Sequence, residues 1–241
     1  MLTAFIRPVR GEFILAFVLI ALALGLGRFW AFDGGLWTWT GLILSGLLFA
    51  NAAKNWTKLH ALDVPARRWF SGALTTAIIW SIVMAAIASA AALIMQRNSP
   101  YYAWYDWFIN TEGPVKHVDT NGVEYVLLDM GLSPASVAWT FLISVIAFLA
   151  FTFAGIAIGS STGRWPQLLM LGGSAVIALV LLAGANLYLI WAAEQRAVNA
   201  EIIIPISLES WQRFLLVLVV AAAPIITGWW TIRRSLQHPW N

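Results

Sequence analysis

Long stretches free of charge, each bounded by charged or turn-forming residues, dominate the pattern of this chain. A helix needs ~20 apolar residues to cross a hydrocarbon core ~30 Å thick. Six windows approach or exceed that length: residues 13–27, 36–53, 69–96, 136–159, 165–193 and 214–232. Each is expected to be helical, because the bilayer core holds no water to satisfy an open backbone. The first window is short, so its helix is expected to continue past Arg28 through Phe29 and Trp30, with Arg28 snorkelling to the interface. The third covers 28 residues, which predicts tilt or projection beyond the bilayer.

The segments between these windows carry their own patterns. Residues 1–12 set Leu2, Phe5, Ile6 and Val9 opposite Arg7 and Arg10, which suits a short helix lying in the membrane interface. Pro8 in its middle breaks such a helix or delays its start. Residues 97–134 form the one sizeable external insert and open with Tyr101, Tyr102, Trp104, Tyr105, Trp107 and Phe108. That aromatic density fits an interfacial belt, with an external gate or substrate-contacting flap as the alternative. Two β-prone runs then flank Asn121-Gly122, a strong hairpin signal. A four-residue Asp-Thr-Asn-Gly loop, opposing His117 to Glu124 and Val115 to Val126, avoids the like-charge pair of Asp119 with Glu124. Residues 194–212 hold Ile202, Ile203, Ile204 and Ile206 around Pro205, too few for a crossing. They read as an external re-entrant or interfacial segment.

Composition turns the pattern into a class. Hydrophobic residues make up 61% and charged residues 10%, against roughly 25% charged in soluble domains. The chain therefore reads as one all-α membrane domain over 1–241, with six transmembrane helices and a small external β-hairpin. Placing the N-terminus, residues 51–68, 160–164 and the C-terminal tail on one side collects nine Lys/Arg against Glu12 and Asp63. The other side holds five basic residues against nine acids. Basic span flanks stay in the cytoplasm, so both termini are expected inside, in a plasma or inner membrane. An amino-terminal signal peptide is not expected, because no small-residue cleavage site follows the first window. The pI near 9.5 is accounted for by that margin and points to anionic lipid headgroups or an acidic protein face, and not to nucleic acid.

Candidate chemistry is sparse. The sequence has no cysteine, which excludes disulfides and thiolate metal sites. His60, His117 and His238 fall in loops or tails, with no metal-ligand spacing. No acid or base lies deep in the last four windows, which argues against an ion-coupled antiporter. The phosphate-binding GxxxxGK[ST] loop is absent, and no catalytic residue, metal or nucleotide cofactor is expected in this chain. What remains is packing. Gly155 and Gly159 form a GxxxG, with Gly41/Ser45 and Gly172/Gly173 as further small faces. Routine intrachain packing is the expected use, and a dimer seam the alternative. Pro224 predicts a kink, and Asn186 needs a polar partner or lines a pathway.

Residues 54–69, KNWTKLHALDVPARRW, are amphipathic and basic, too patterned for a plain turn. Trp56, Leu59 and Leu62 offer apolar anchors, and Lys54, Lys58 and Arg67 a charged rim. Asp63 and Pro65 supply start signals for the third span. The order of elements, with Leu59, Leu62, Pro65, Arg67 and Arg68 in LHALDVPARRW, resembles the permease subunits of ABC type 2 exporters. The resemblance implies a coupling segment at 51–68 that rests on separate ATPase subunits binding ATP and Mg, and a second permease copy. Lys54, Trp56, Lys58, Leu59, Leu62, Asp63, Arg67 and Arg68 then carry the coupling. The expected function is export of an amphipathic or hydrophobic substrate, such as a peptide antibiotic, drug or lipid. The alternative is a membrane scaffold or immunity-type protein that binds a ligand through its external segment.

Overall fold

A computed structural model describes residues 3–30, 34–98, 106–109, 116–118, 124–126 and 132–160. Their order is α1 (Thr3–Ile6), a 3-10 turn (Arg7–Val9), α2 (Arg10–Trp30), α3 (Gly34–Ala53), α4 (Trp56–His60), α5 (Ala66–Asn98), β1 (Lys116–Val118), β2 (Glu124–Val126) and α6 (Pro134–Ser160). Four helical stretches are long and apolar enough to cross a membrane: Arg7–Trp30, Gly34–Ala53, Ala66–Asn98 and Pro134–Ser160. They coincide with the first four apolar windows and extend each by a few residues. The windows at 165–193 and 214–232, with residues 194–212, lie outside the described residues.

The four long helices close a ring in which α2 packs on α3, α3 on α6, α6 on α5 and α5 on α2. α5 has 33 residues, about 50 Å at 1.5 Å per residue, so it exceeds a bilayer core. Its buried positions Trp69, Ala73, Ala77, Trp80, Met84 and Ala88 recur every three or four residues and form one inward stripe. The outer face of α2, by contrast, exposes Ile14, Leu15, Val18, Leu19, Leu22 and Leu26. An outer surface as apolar as the interior suits hydrocarbon surroundings and fits a multi-pass membrane protein.

Without a hydrophobic force between helices in lipid, close association needs small residues. α3 and α6 run parallel and supply them. A Cβ on Gly155 would lie 3.0 Å from the Gly46 carbonyl carbon and 3.1 Å from the Ala50 nitrogen. A Cβ on Gly159 would lie 2.8 Å from both the Ala50 carbonyl carbon and the Ala53 Cβ. The GxxxG is thus consumed by packing within the chain. Gly41 likewise admits Leu24 of α2, whose Cδ2 would be 2.8 Å from an added Cβ. Ser45, one turn further on, accepts the Trp80 indole N–H at 3.0 Å.

The N-terminal residues depart from the expected interfacial helix. Phe5 is 1% exposed and Val9 is buried. Phe5 meets Phe13, Phe49 and Trp69 at ring-centroid distances of 6.2, 5.8 and 5.7 Å. Pro8 does not break the chain; a single 3-10 turn absorbs its missing N–H, and both flanking residues keep right-handed helical angles. That continuity carries α1 inward over the end of the bundle. The strand pair also differs in register. Lys116 pairs with Val126, His117 with Tyr125 and Val118 with Glu124, one residue out of the expected alignment. Positions 119–123 connect the innermost pair, a loop length also common between paired strands.

The α4 to α5 connection has a defined stop. Val64 N–H and Leu62 N–H both donate to the Leu59 carbonyl, at 3.1 Å each, and Asp63 takes a positive φ of 57°. This is a Schellman-type cap with Asp63 in the left-handed position. Pro65 follows, and its carbonyl accepts from Arg68 and Trp69 as α5 begins.

Two pairs of substitutions test the glycine packing and the α4 cap. Gly155→Ala is expected to lower stability by about 1–3 kcal/mol in denaturant titration of the purified chain, since backbone atoms of α3 cannot step aside. Gly11→Ala, with nothing near its Cβ, is expected to leave stability unchanged or raise it. Asp63→Val is expected to cost about 1–2 kcal/mol, because a β-branched side chain resists the left-handed region, while Asp63→Gly is tolerated without loss in the same titration.

Candidate functional site

Among the described side chains, Arg28 and Asp106 are the only buried charged ones. Arg28 lies in the last turn of α2, on the inward stripe that includes Ile20 and Leu24, and its side chain is 1% exposed. It does not snorkel outward as expected. The guanidinium donates from Nε to Asp106 Oδ2 at 2.8 Å and from Nη2 to Asp106 Oδ1 at 3.2 Å, a two-point fork. Nη2 also donates to Thr38 Oγ1 at 2.7 Å, and Nη1 to the Leu24 carbonyl. Asp106 Oδ1 further accepts from Thr38 Oγ1 at 3.3 Å and from the Trp107 backbone N–H at 2.7 Å. Taking two charges out of water is repaid only when their remaining donors and acceptors find partners, and here all three guanidinium nitrogens and both carboxylate oxygens have them.

The pair draws residues 106–109 onto one end of the bundle, where α2 ends and α3 and α6 begin. Phe108 and Ile109 are 1% and 5% exposed, and the Ile109 N–H donates to Thr140 Oγ1 at 3.0 Å. Trp107 is half-buried and sets its ring edge-on to Trp39, with centroids 5.1 Å apart at 86°. Phe108 therefore packs inside the protein and not in an acyl-chain belt. Tyr101, Tyr102, Trp104 and Tyr105 lie outside the described residues, as do Asn186, Pro224, Gly172 and Gly173.

The opposite end carries the 51–68 segment. α3 runs to Ala53, and α4 lies between it and α5. Trp56 is 5% exposed and stacks on fully buried Trp69, with centroids 4.8 Å apart at 41°. Leu59 is half-buried against the same core. These two expected partner anchors are thus already used inside the chain. Apolar area at α4 is more stably covered by a neighbouring α5 ring than left for a second protein. Leu62, at 75% exposure, remains presented outward. Lys54, Lys58, Asp63, Arg67 and Arg68 are exposed around it. Asn51 donates to Glu12 at this end and ties α3 to α2.

The described residues hold no group of three or more His, Cys, Asp or Glu that could bind a metal ion. Two features at the first end escaped sequence reasoning: the partner of Arg28, and the hydroxyls of Thr38 and Thr140. One signal was present. A lone acid inside an aromatic run and a lone arginine inside an apolar window are each costly in lipid unless they meet.

The buried and exposed sides of residues 54–65 predict contrasting behaviour. Trp56→Ala is expected to destabilise by about 3–5 kcal/mol and to open residues 54–65 to limited proteolysis. Leu62→Ala is expected to stay within about 0.5 kcal/mol, with an unchanged digestion pattern. In comparisons with protein families, curated proteins and solved structures, nothing matches this chain.

Proposed function

We propose that the chain is the membrane-spanning permease subunit of an ATP-driven exporter of the ABC type 2 class, with six spans, both termini cytoplasmic and an external hairpin. The observation that carries this reading is the bracing of α4. Lys58 of α4, Leu62 in the turn after it and Arg67 and Arg68 at the start of α5 are exposed together, while Trp56 holds the inner side of α4 against Trp69 of α5. Force applied to such a surface passes into the longest of the described helices without being lost in a loose loop. Apolar contact surrounded by charge also suits recognition of an acidic partner surface.

ATP and Mg belong to separate ATPase subunits in this arrangement, and a second permease copy completes the pathway. The chain itself performs no catalysis. Its buried ion pair sits at an end of the bundle, and among the described residues no titratable group lies in the middle of the four long helices, which favours a driving force from outside the membrane. The substrate class that suits such a pathway is amphipathic or hydrophobic.

The reading is tested by purifying the tagged full chain from its native membranes in mild detergent. A P-loop ATPase is expected to co-purify with ATP-hydrolysing activity. The combined substitution Lys58→Glu, Arg67→Glu and Arg68→Glu is expected to lower its recovery by roughly tenfold or more while the helical content stays unchanged. A stable lone chain with no ATPase overturns the exporter reading and leaves a membrane scaffold.

A further inference from the structure

The buried stripe at the start of the chain decides what its other side presents. Phe5, Val9 and Phe13, spaced four apart, turn into the bundle, where Phe5 meets Phe49 and Trp69, and Phe13 meets Phe49 and Trp80. Arg7, Arg10 and Gly11, out of phase with that stripe, are exposed. The three- and four-residue spacing of a helix puts them on one face with Ile14, Val18 and Leu22, which are exposed as well. Arg7–Trp30 is one continuous helical stretch, so two cations stand at the end of an apolar stripe. From Ile14 to Leu22 the stripe runs about 12 Å at 1.5 Å per residue, most of one half of a ~30 Å hydrocarbon core. Between cations and stripe, Gly11 carries no side chain, and nothing lies within 4 Å of where its Cβ would be. The face is notched where a headgroup would meet its chains.

We propose that Arg7 and Arg10 hold the phosphate of an anionic phospholipid, with its glycerol backbone over Gly11 and its acyl chains along Ile14, Val18 and Leu22 of α2. Charge complementarity selects the headgroup. Glu12, the nearest acid in sequence, lies on another face of the helix, where its carboxylate accepts from Asn51 of α3. Among the described residues, neither arginine is ion-paired with a carboxylate. Guanidinium forks match phosphate oxygens, and two of them favour a headgroup of net negative charge over one that brings its own cation. The stripe then selects a lipid over a soluble anion, because only hydrocarbon covers the exposed apolar residues. An acidic soluble protein reaches the arginines but not the stripe. The second exposed pair at this end, Arg67 and Arg68, lacks the same continuation. Ser71 and Thr75 follow it on α5, their hydroxyls donating to the Arg68 and Ser71 carbonyls at 3.1 and 2.8 Å. Polar turns separate those cations from the apolar part of their helix.

The test uses the purified full chain in neutral detergent, titrated with dioleoyl phosphatidylglycerol or dioleoyl phosphatidylcholine and read as bound lipid by native mass spectrometry. Phosphatidylglycerol is expected to be retained at concentrations where phosphatidylcholine is not. Arg7→Gln combined with Arg10→Gln is expected to weaken phosphatidylglycerol binding roughly tenfold or more, and the charge-matched Arg67→Gln with Arg68→Gln by less than about twofold. Gly11→Leu, which keeps both charges and fills the notch, is expected to weaken binding as well, with helical content unchanged in every variant. Excess inorganic phosphate is expected to leave the lipid in place. Equal loss from the two arginine pairs overturns the proposal, since the basic end then acts as diffuse charge. Undiminished binding by Gly11→Leu, displacement by inorganic phosphate, or equal retention of the two lipids each overturns it too, because the notch, the stripe or the charge then selects nothing. The outcome is independent of any ATPase partner.

Discussion

The close approach of α3 and α6 is the contact on which the other features of the bundle depend. In hydrocarbon, one apolar helix gains nothing by exchanging lipid for another apolar helix unless the two fit more tightly than lipid does. Gly155 and Gly159 remove the side chains that would hold α6 away from Gly46, Ala50 and Ala53, and backbone meets backbone over two turns. Two parallel helices held this closely present their N-terminal halves side by side. Thr38 of α3 and Thr140 of α6 are then both within reach of residues 106–109.

The two ends of the ring use that frame differently. One end is closed by aromatic packing, where Phe5, Phe13, Phe49 and Trp80 meet largely edge to face and Trp69 joins them to Trp56. Such contacts are non-directional in charge and continuous with the core, so α1 and α4 become extensions of the helix bundle. The other end is closed by charge. A carboxylate and a guanidinium bring in a segment that has little regular structure of its own, and two apolar residues follow. The first arrangement rests on many apolar contacts, and the second on one charge pair with its hydrogen bonds.

Placement of α4 narrows what the 51–68 segment presents to its surroundings. Trp56 and Leu59 look like anchors for a partner when read along the sequence, yet they face Trp69 and the core. The exposed contribution narrows to Leu62 and the basic residues around it. Trp56 instead joins α4 to α5 through its ring contact with Trp69. Asp63 contributes by ending α4 in a left-handed turn, which sets the angle at which the rim is presented.

The sequence by itself determined the helical class and the positions of four helices, because a membrane leaves few options for a long apolar window: the backbone must close its own hydrogen bonds, and length is set by bilayer thickness. It also marked Gly155 and Gly159 as packing residues, Pro65 as the entry to α5 and Trp30 as the end of α2. Only the tertiary structure decided which neighbour each residue faces. Arg28 and Asp106 are 78 positions apart, and nothing local distinguishes an arginine that snorkels from one that turns inward to a carboxylate. The same holds for Phe5, Trp56 and Phe108, whose apolar character is legible but whose burial depends on surfaces brought from other helices. Periodicity reports that a face exists, whereas the partner of that face is a long-range fact settled by close packing.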